Sequence, residues 1–118
     1  MPLKIYEYSK CGTCRKALKW LDGKKVAYDV VDITEKPPTK TELKRMLGHY
    51  DGDLRRLFNT SGVQYRELKI KDKLPSMSPA EAMDLLSQNG KLIKRPFLLT
   101  KDTGLIGFKE DEWTAALG

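Results

Sequence analysis

Cysteine and histidine are scarce in this chain: 118 residues contain two cysteines, Cys11 and Cys14, and one histidine, His49. A structural zinc site takes four ligands, usually from two closely spaced pairs of thiolates or imidazoles. One CxxC pair and one distant histidine cannot fill it, so no metal is expected. A disulfide scaffold is excluded as well, because a bridge from Cys11 to Cys14 would close too short a loop to stabilise a fold much. Long apolar runs are also missing. No stretch approaches the roughly 20 consecutive apolar residues of a membrane-spanning helix. The opening "MPLKIYEYSK" lacks the charged-then-apolar pattern of an export signal. These absences lead us to expect a cytoplasmic chain with no membrane partner. We find no internal repeat, linker or low-complexity tract.

What is present fits a folded globular protein, with 40% hydrophobic and 32% charged residues. The length suits a single domain spanning residues 1–118. Twenty-two Lys and Arg against sixteen Asp and Glu leave a net charge of +6, which favours anionic ligands or acidic surfaces. The basic residues form no concentrated stripe interleaved with aromatics, so direct nucleic-acid binding is not expected.

The segments "LKIYEY" (3–8) and "VAYDVVDI" (26–33) are rich in β-branched and aromatic residues and read as strands. A helix between them makes a βαβ unit with a parallel pair. Thr39 followed by Glu42 is a capping box, and Leu43, Met46 and Leu47 form the apolar stripe of a helix ending at Gly48. A short helix around Leu54, Leu57 and Phe58 follows, then a loop at "NTSG". Residues 77–90 read as a further helix, capped by Ser78 and Glu81, with Pro79 in its first turn and Gly90 at its end. "RPFLLT" and "GLIGF" separated by "KDTG" carry a hairpin signature. "KEDEWTAAL" closes the chain as a helix with acids at its N-terminal end. Trp113, Ala116 and Leu117 are expected to face inward. The order is βαβ, a helical middle, then ββα: an α/β fold with a four-stranded mixed sheet.

The two cysteines are not equivalent. Cys11 follows "SK" and precedes Gly12, where the strand ends and the helix begins. A thiolate there faces the free N–H groups of the first helical turn, and Lys10, Arg15 and Lys16 add positive potential. Gly12 leaves its approach uncrowded. Cys14 shares a face with Ala17, Leu18 and Leu21 and should point into the core. An exposed, activated thiol within a turn of a recessed one is the arrangement of a nucleophile and its resolver. Pro96 stands just before a strand, where a proline costs no ladder bond and a cis peptide is affordable. Arg95 beside it would bring a guanidinium to the same pocket.

The pieces "YSKCGTCRKALKWL", "PPTKTELKRML", "LFNTSGVQYRELKIKDKLPSMSPAEAMDLL", "LIKRPFLLT" and "GLIGFKEDEW" occur in an order that resembles the arsenate reductase (ArsC) family, which shares its fold with the Spx regulators. The resemblance implies a thioredoxin-like (glutaredoxin-like) domain with a helical insertion at about residues 38–90. It implies that Cys11 is the catalytic cysteine and Arg95 the arginine before a cis-proline, with Pro96 packed against the CxxC motif. Gly12, Thr13, Asn59 and Pro96 become the expected substrate contacts. Glutaredoxin-linked arsenate reductases hold their oxyanion with three arginines. The second of these positions is Asn59 here and the third is Phe108, followed by Lys109. Arginine grips such oxyanions with a bidentate geometry that lysine cannot copy.

Two functions remain open at this point. In one, the chain is a thiol-dependent oxidoreductase without a bound cofactor: Cys11 attacks, Cys14 resolves the adduct, and glutathione with glutaredoxin, or thioredoxin, restores the pair. In the other, the pair is the redox sensor of an Spx-like regulator that binds the RNA polymerase α subunit.

Overall fold

Strand β1, Leu3–Glu7, is buried on both faces, and its pleat separates two cores. In this computed structural model, which describes residues 3–8, 11–60, 62–100 and 103–117, Leu3 and Ile5 point to one side and Tyr6 to the other. Helix α1 (Gly12–Gly23) returns the chain to β2 (Tyr28–Asp32), which pairs in parallel with β1 from Leu3↔Tyr28 to Glu7↔Asp32. Strand β3 (Phe97–Leu99) lies antiparallel on the other side of β1, with Ile5 opposite Leu98. Strand β4 (Gly104–Ile106) pairs antiparallel with β3. The sheet order is β2-β1-β3-β4, the mixed four-stranded sheet expected of a thioredoxin-like fold.

Between β2 and β3 lie α2 (Lys40–His49), a 3-10 turn at Leu54–Leu57, α3 (Val63–Glu67), α4 (Ile70–Lys73) and α5 (Pro79–Gln88). Helix α6 (Glu110–Leu117) ends the chain. One face of the sheet packs Leu3, Ile5, Leu98 and Leu105 against Ala17 and Leu21 of α1 and Trp113 of α6. The other packs Tyr6, Phe97, Leu99 and Ile106 against Leu43 and Met46 of α2 and Leu86 of α5. The sheet is thus covered on both sides, and the ends of its central strands meet the start of α1.

Both capping boxes form: Thr39 with Glu42 starts α2, and Ser78 with Glu81 starts α5. Several boundaries differ from the sequence expectation. Helices α3 and α4 were unforeseen, because neither has a side-chain cap and Lys69, at φ 53°, breaks the chain between them. The short helix expected around Leu54 spans Leu54–Leu57 and is of the 3-10 type, with Phe58 as its C-cap. Ala116 is exposed, not inward-facing, since α6 is short and buries itself chiefly through Trp113. Gly90 does not end α5 directly. Asn89 is its C-cap, and Gly90 opens a 3-10 turn through Leu92. Glycine is required there by close approach, since a Cβ would collide with the Ile33 carbonyl oxygen.

Glu42 links α2 to the sheet. Its carboxylate accepts from the Tyr6 hydroxyl at 2.7 Å, from Lys4 Nζ at 3.2 Å and from the Thr39 N–H at 3.0 Å. Burial alone would push its carboxyl up. The hydrogen bonds from Thr39, Tyr6 and Lys4 together outweigh that and hold it below the usual carboxylate range. The same carboxylate adds to burial in pushing the Tyr6 hydroxyl up. A carboxyl depressed on folding stabilises the protein above its unfolded pKa, near 4.3, and that contribution fades as pH falls through the lower folded value. Glu42→Gln is therefore expected to cost about 1 kcal/mol at pH 7. The gap should narrow from about pH 4 downward. Urea unfolding at both pH values measures it; a gap of equal size at both would remove the charge from the account.

Candidate functional site

Cys11 is the N-cap of α1. Its backbone is extended, at φ −92° and ψ 117°, and its N–H donates to the Tyr8 carbonyl at 2.9 Å. Its Sγ takes the role a serine or aspartate oxygen plays elsewhere, accepting the Cys14 N–H at 3.4 Å. The thiol is half-buried. Cys14, one turn on, is fully buried with Ala17 and Leu21 on the core side of the helix. Burial pushes the Cys14 thiol up to about 12. The hydrogen bond and charge of Cys11 and the Glu7 carboxylate act in the same direction, against an opposing backbone hydrogen bond at Tyr8. The division into an approachable thiol and a recessed one is present in the fold.

This asymmetry has a direct chemical readout. Iodoacetamide is expected to modify the native protein once, at Cys11, while Cys14 stays protected until the chain is unfolded. Peptide mass spectrometry before and after denaturation checks it. Modification of Cys14 first would reverse the assignment.

Cys11 opens into a cavity of about 390 Å³ built from four separate segments. Thr13 lines it from α1. Arg56 and Asn59 come from the 3-10 turn and the residues after it, and Lys94 and Arg95 from the approach to β3. Ile106, Gly107, Phe108 and Lys109 close it from the end of β4. Among the described residues, that lining holds four cations and no carboxylate. Two backbone bonds bring the middle segments together: the Asn59 N–H donates to the Leu92 carbonyl at 2.7 Å and the Lys94 N–H to the Leu57 carbonyl at 2.9 Å. An isolated bridge joins Phe58 and Ile93 between them.

The Arg95–Pro96 peptide is cis. Pro96 is buried, and its carbonyl accepts the Gly107 N–H at 2.9 Å. Gly107 has φ +71°, a left-handed conformation that costs glycine nothing, and its carbonyl accepts the indole N–H of Trp113 at 3.0 Å. Phe108 stacks edge-on against Trp113, with ring centres 5.0 Å apart. The far wall of the cavity is thus held by α6. Arg95 lies 4.9 Å over the Tyr8 ring and Arg56 lies 4.7 Å over the Tyr50 ring.

Of the residues singled out in the sequence, Cys11, Thr13, Asn59 and Arg95 line one cavity, and Phe108 and Lys109 join them. Gly12 does not line it: it is exposed, and a Cβ added there would meet nothing within 4 Å. Pro96 and Cys14 sit in the protein interior. Arg15 and Lys16 are exposed on α1, outside the lining, and Lys10 lies outside the described residues. Arg56 was missed. It stands in "DLRRLF", where nothing local separates it from Arg55 or from any other surface arginine. Among the described residues no group of three His, Cys, Asp or Glu side chains could hold a metal ion, and no helix is long and apolar enough to cross a membrane.

Known proteins are similar to this chain along nearly its whole length. The protein YusI of Bacillus subtilis is 47% identical over 113 residues, covering 96% of each chain. The global transcriptional regulator Spx of Streptococcus agalactiae is 34% identical over 115 residues, covering 98% of this chain and 82% of its own. The crystal structure of an ArsC family related protein from Bacteroides fragilis superposes with a TM-score of 0.91 at 42% identity, covering 98% of this chain and 97% of that one. The model of the ArsC family matches residues 6–116, from within β1 into α6. With the CxxC turn, the cis-proline and the helices between β2 and β3 all inside that span, the chain belongs to the ArsC family.

Proposed function

We propose that this protein is a cytoplasmic thiol-dependent oxidoreductase, working as one domain, whose substrate is an anionic thiol adduct. The observation that carries the reading is the placement of Cys11. Its sulfur stands at a helix N-terminus and opens into a cavity with four cations and no carboxylate in its lining. Such a setting attracts a negatively charged partner to the sulfur.

The Cys11 thiolate attacks one sulfur of a disulfide substrate, R–S–S–R′. A Cys11–S–S–R bond forms, the substrate S–S bond breaks, and R′S⁻ leaves. Cys14 then gives up its proton to solvent and attacks the Cys11 sulfur, closing a Cys11–Cys14 disulfide and expelling RS⁻. The substrate disulfide is the oxidant and has gained the two electrons. Two equivalents of a monothiol such as glutathione, with glutaredoxin, or one dithiol such as thioredoxin, return the pair to the reduced state. Cys14 suits the second step. Part of what holds its proton is the charge of Cys11, and that charge disappears once Cys11 is in the adduct. Arg95 steadies the anionic substrate, Thr13 and Asn59 offer polar contacts, and Gly12 and Pro96 shape the turn and strand start around the thiols. With Asn59 and Phe108 in place of two arginines, the pocket is a poor clamp for arsenate itself.

A second reading is favoured by the 34% identity with Spx: the pair is a redox sensor, and its output is binding to the RNA polymerase α subunit. Trapping separates the two. Cys14→Ser should arrest the cycle at the Cys11 mixed disulfide, and the captured species can be released with reductant and identified. Recovery of glutathione, glutaredoxin or thioredoxin supports the oxidoreductase. Polymerase α subunit recovered in their place supports the regulator, and a variant that captures nothing through Cys11 sinks the oxidoreductase reading.

A further inference from the structure

Arg56 is the one arginine of the cavity that the family motifs do not point to. It lies three residues before Asn59, on the 3-10 turn, and reaches the same space as Arg95 and Cys11. The two arginines are held alike, each over a tyrosine ring: Arg56 over Tyr50 at 4.7 Å and Arg95 over Tyr8 at 4.9 Å. Both rings are tied to the site. The Tyr50 hydroxyl accepts the N–H of Ile106 at 2.8 Å, and the Tyr8 carbonyl accepts the N–H of Cys11 at 2.9 Å. A guanidinium resting on an aromatic face keeps its donors in its own plane, free for a carboxylate or phosphate.

Two groups compete for Arg56: the Tyr50 hydroxyl, which accepts a hydrogen bond from one of its five donors, and the Glu112 carboxylate. Glu112 is 4.0 Å away, and the two side chains are 43% and 41% exposed. A long, solvated pair of this kind contributes little and yields readily to a ligand. The volume, about 390 Å³, is that of a small organic ligand. A single tetrahedral oxyanion would leave most of it to water. Lys94 and Lys109 raise the potential without imposing geometry.

We propose that Arg56 is a specificity-determining residue. With Arg95 it holds the two anionic groups of a low-molecular-weight thiol adduct, one whose sulfur-bearing half carries two carboxylates, and presents that sulfur to Cys11. The proposal deepens the oxidoreductase reading and rests on it for the chemistry, but the binding it describes needs no reactive sulfur. S-methylglutathione is the probe, having two carboxylates and a blocked sulfur, with its dimethyl ester as the comparison. Calorimetry at low salt should show the diacid binding the unmodified protein. Arg56→Ala and Arg95→Ala should each weaken it at least about tenfold, with Arg56→Lys in between. The ester should bind at least about tenfold less tightly than the diacid and be insensitive to Arg56→Ala. Thermal unfolding of the variants controls for their integrity, which a substitution of the exposed Arg56 should not alter. No binding of the diacid at about millimolar concentration overturns the proposal. So does equal binding by Arg56→Ala, or equal binding of acid and ester. Failure of Cys11 to form mixed disulfides would sink the redox reading while leaving these binding results intact, so the two failures are distinguishable.

Discussion

Trp113→Ala is expected to destabilise the protein by about 3–5 kcal/mol, a large share of the about 5–15 kcal/mol that holds a typical domain together. The indole is fully buried. It meets Trp20 edge-on with ring centres 5.8 Å apart and Phe108 at 5.0 Å, and its N–H satisfies the Gly107 carbonyl at 3.0 Å. Alanine would leave a cavity, two aromatic rings without their partner, and a carbonyl without its donor. The damage should reach the site, because Gly107 and Phe108 form the far wall of the cavity in front of Cys11. Trp113→Phe separates the two losses: it keeps most of the packing and should cost about 1–3 kcal/mol, mainly the orphaned carbonyl. Urea unfolding gives both values. A cost below about 1 kcal/mol for alanine would be too small for a core side chain of this size and would mean that α6 is not held to the sheet through Trp113.

Cys11→Ser is expected to reduce thiol–disulfide turnover to background, because a serine hydroxyl at neutral pH is neither ionised nor able to form a disulfide. Cys14→Ser should behave differently. The first attack should proceed with little change, and the adduct should then persist, since the sulfur that expels the leaving thiol is gone. Single-turnover measurements with a disulfide that releases a chromophoric thiol read both steps. Cys11→Ser should show no burst, and Cys14→Ser a burst of one equivalent followed by a stall. A full burst from Cys11→Ser would transfer the nucleophile's role to Cys14, against its burial and raised thiol pKa.

Much of the fold was legible because its signals are local. The capping boxes at Thr39–Glu42 and Ser78–Glu81 act within one helical turn and formed as read. The segment "LKIYE" forms the strand its composition indicated, and the structure places Leu3 and Ile5 in one core and Tyr6 in the other. Helices α3 and α4 escaped because they have no side-chain cap; Tyr65 and Ile70 hold them by burial in the core beneath. Gly90 read as a helix stop, whereas its requirement comes from the Ile33 backbone, 57 positions earlier in the chain, on which a side chain would collide.

The site divides in the same way. The sequence by itself determined the unequal thiols, since the strand-to-helix junction at Cys11 and the core-facing stripe through Cys14, Ala17 and Leu21 are set within a dozen residues. It also determined that Arg95 precedes a proline at a strand start. Only the tertiary structure decided that Arg56 faces Cys11 while Arg55 and Arg15 stay outside the cavity lining, and that Gly12 is not part of that lining. A charged side chain carries no periodic signal of its destination. Where it ends up depends on the Asn59–Leu92 and Lys94–Leu57 backbone bonds, which dock the 3-10 turn beside β3. Those bonds form between segments more than 30 residues apart, and they exist only because the apolar faces of the intervening helices have been buried against the sheet.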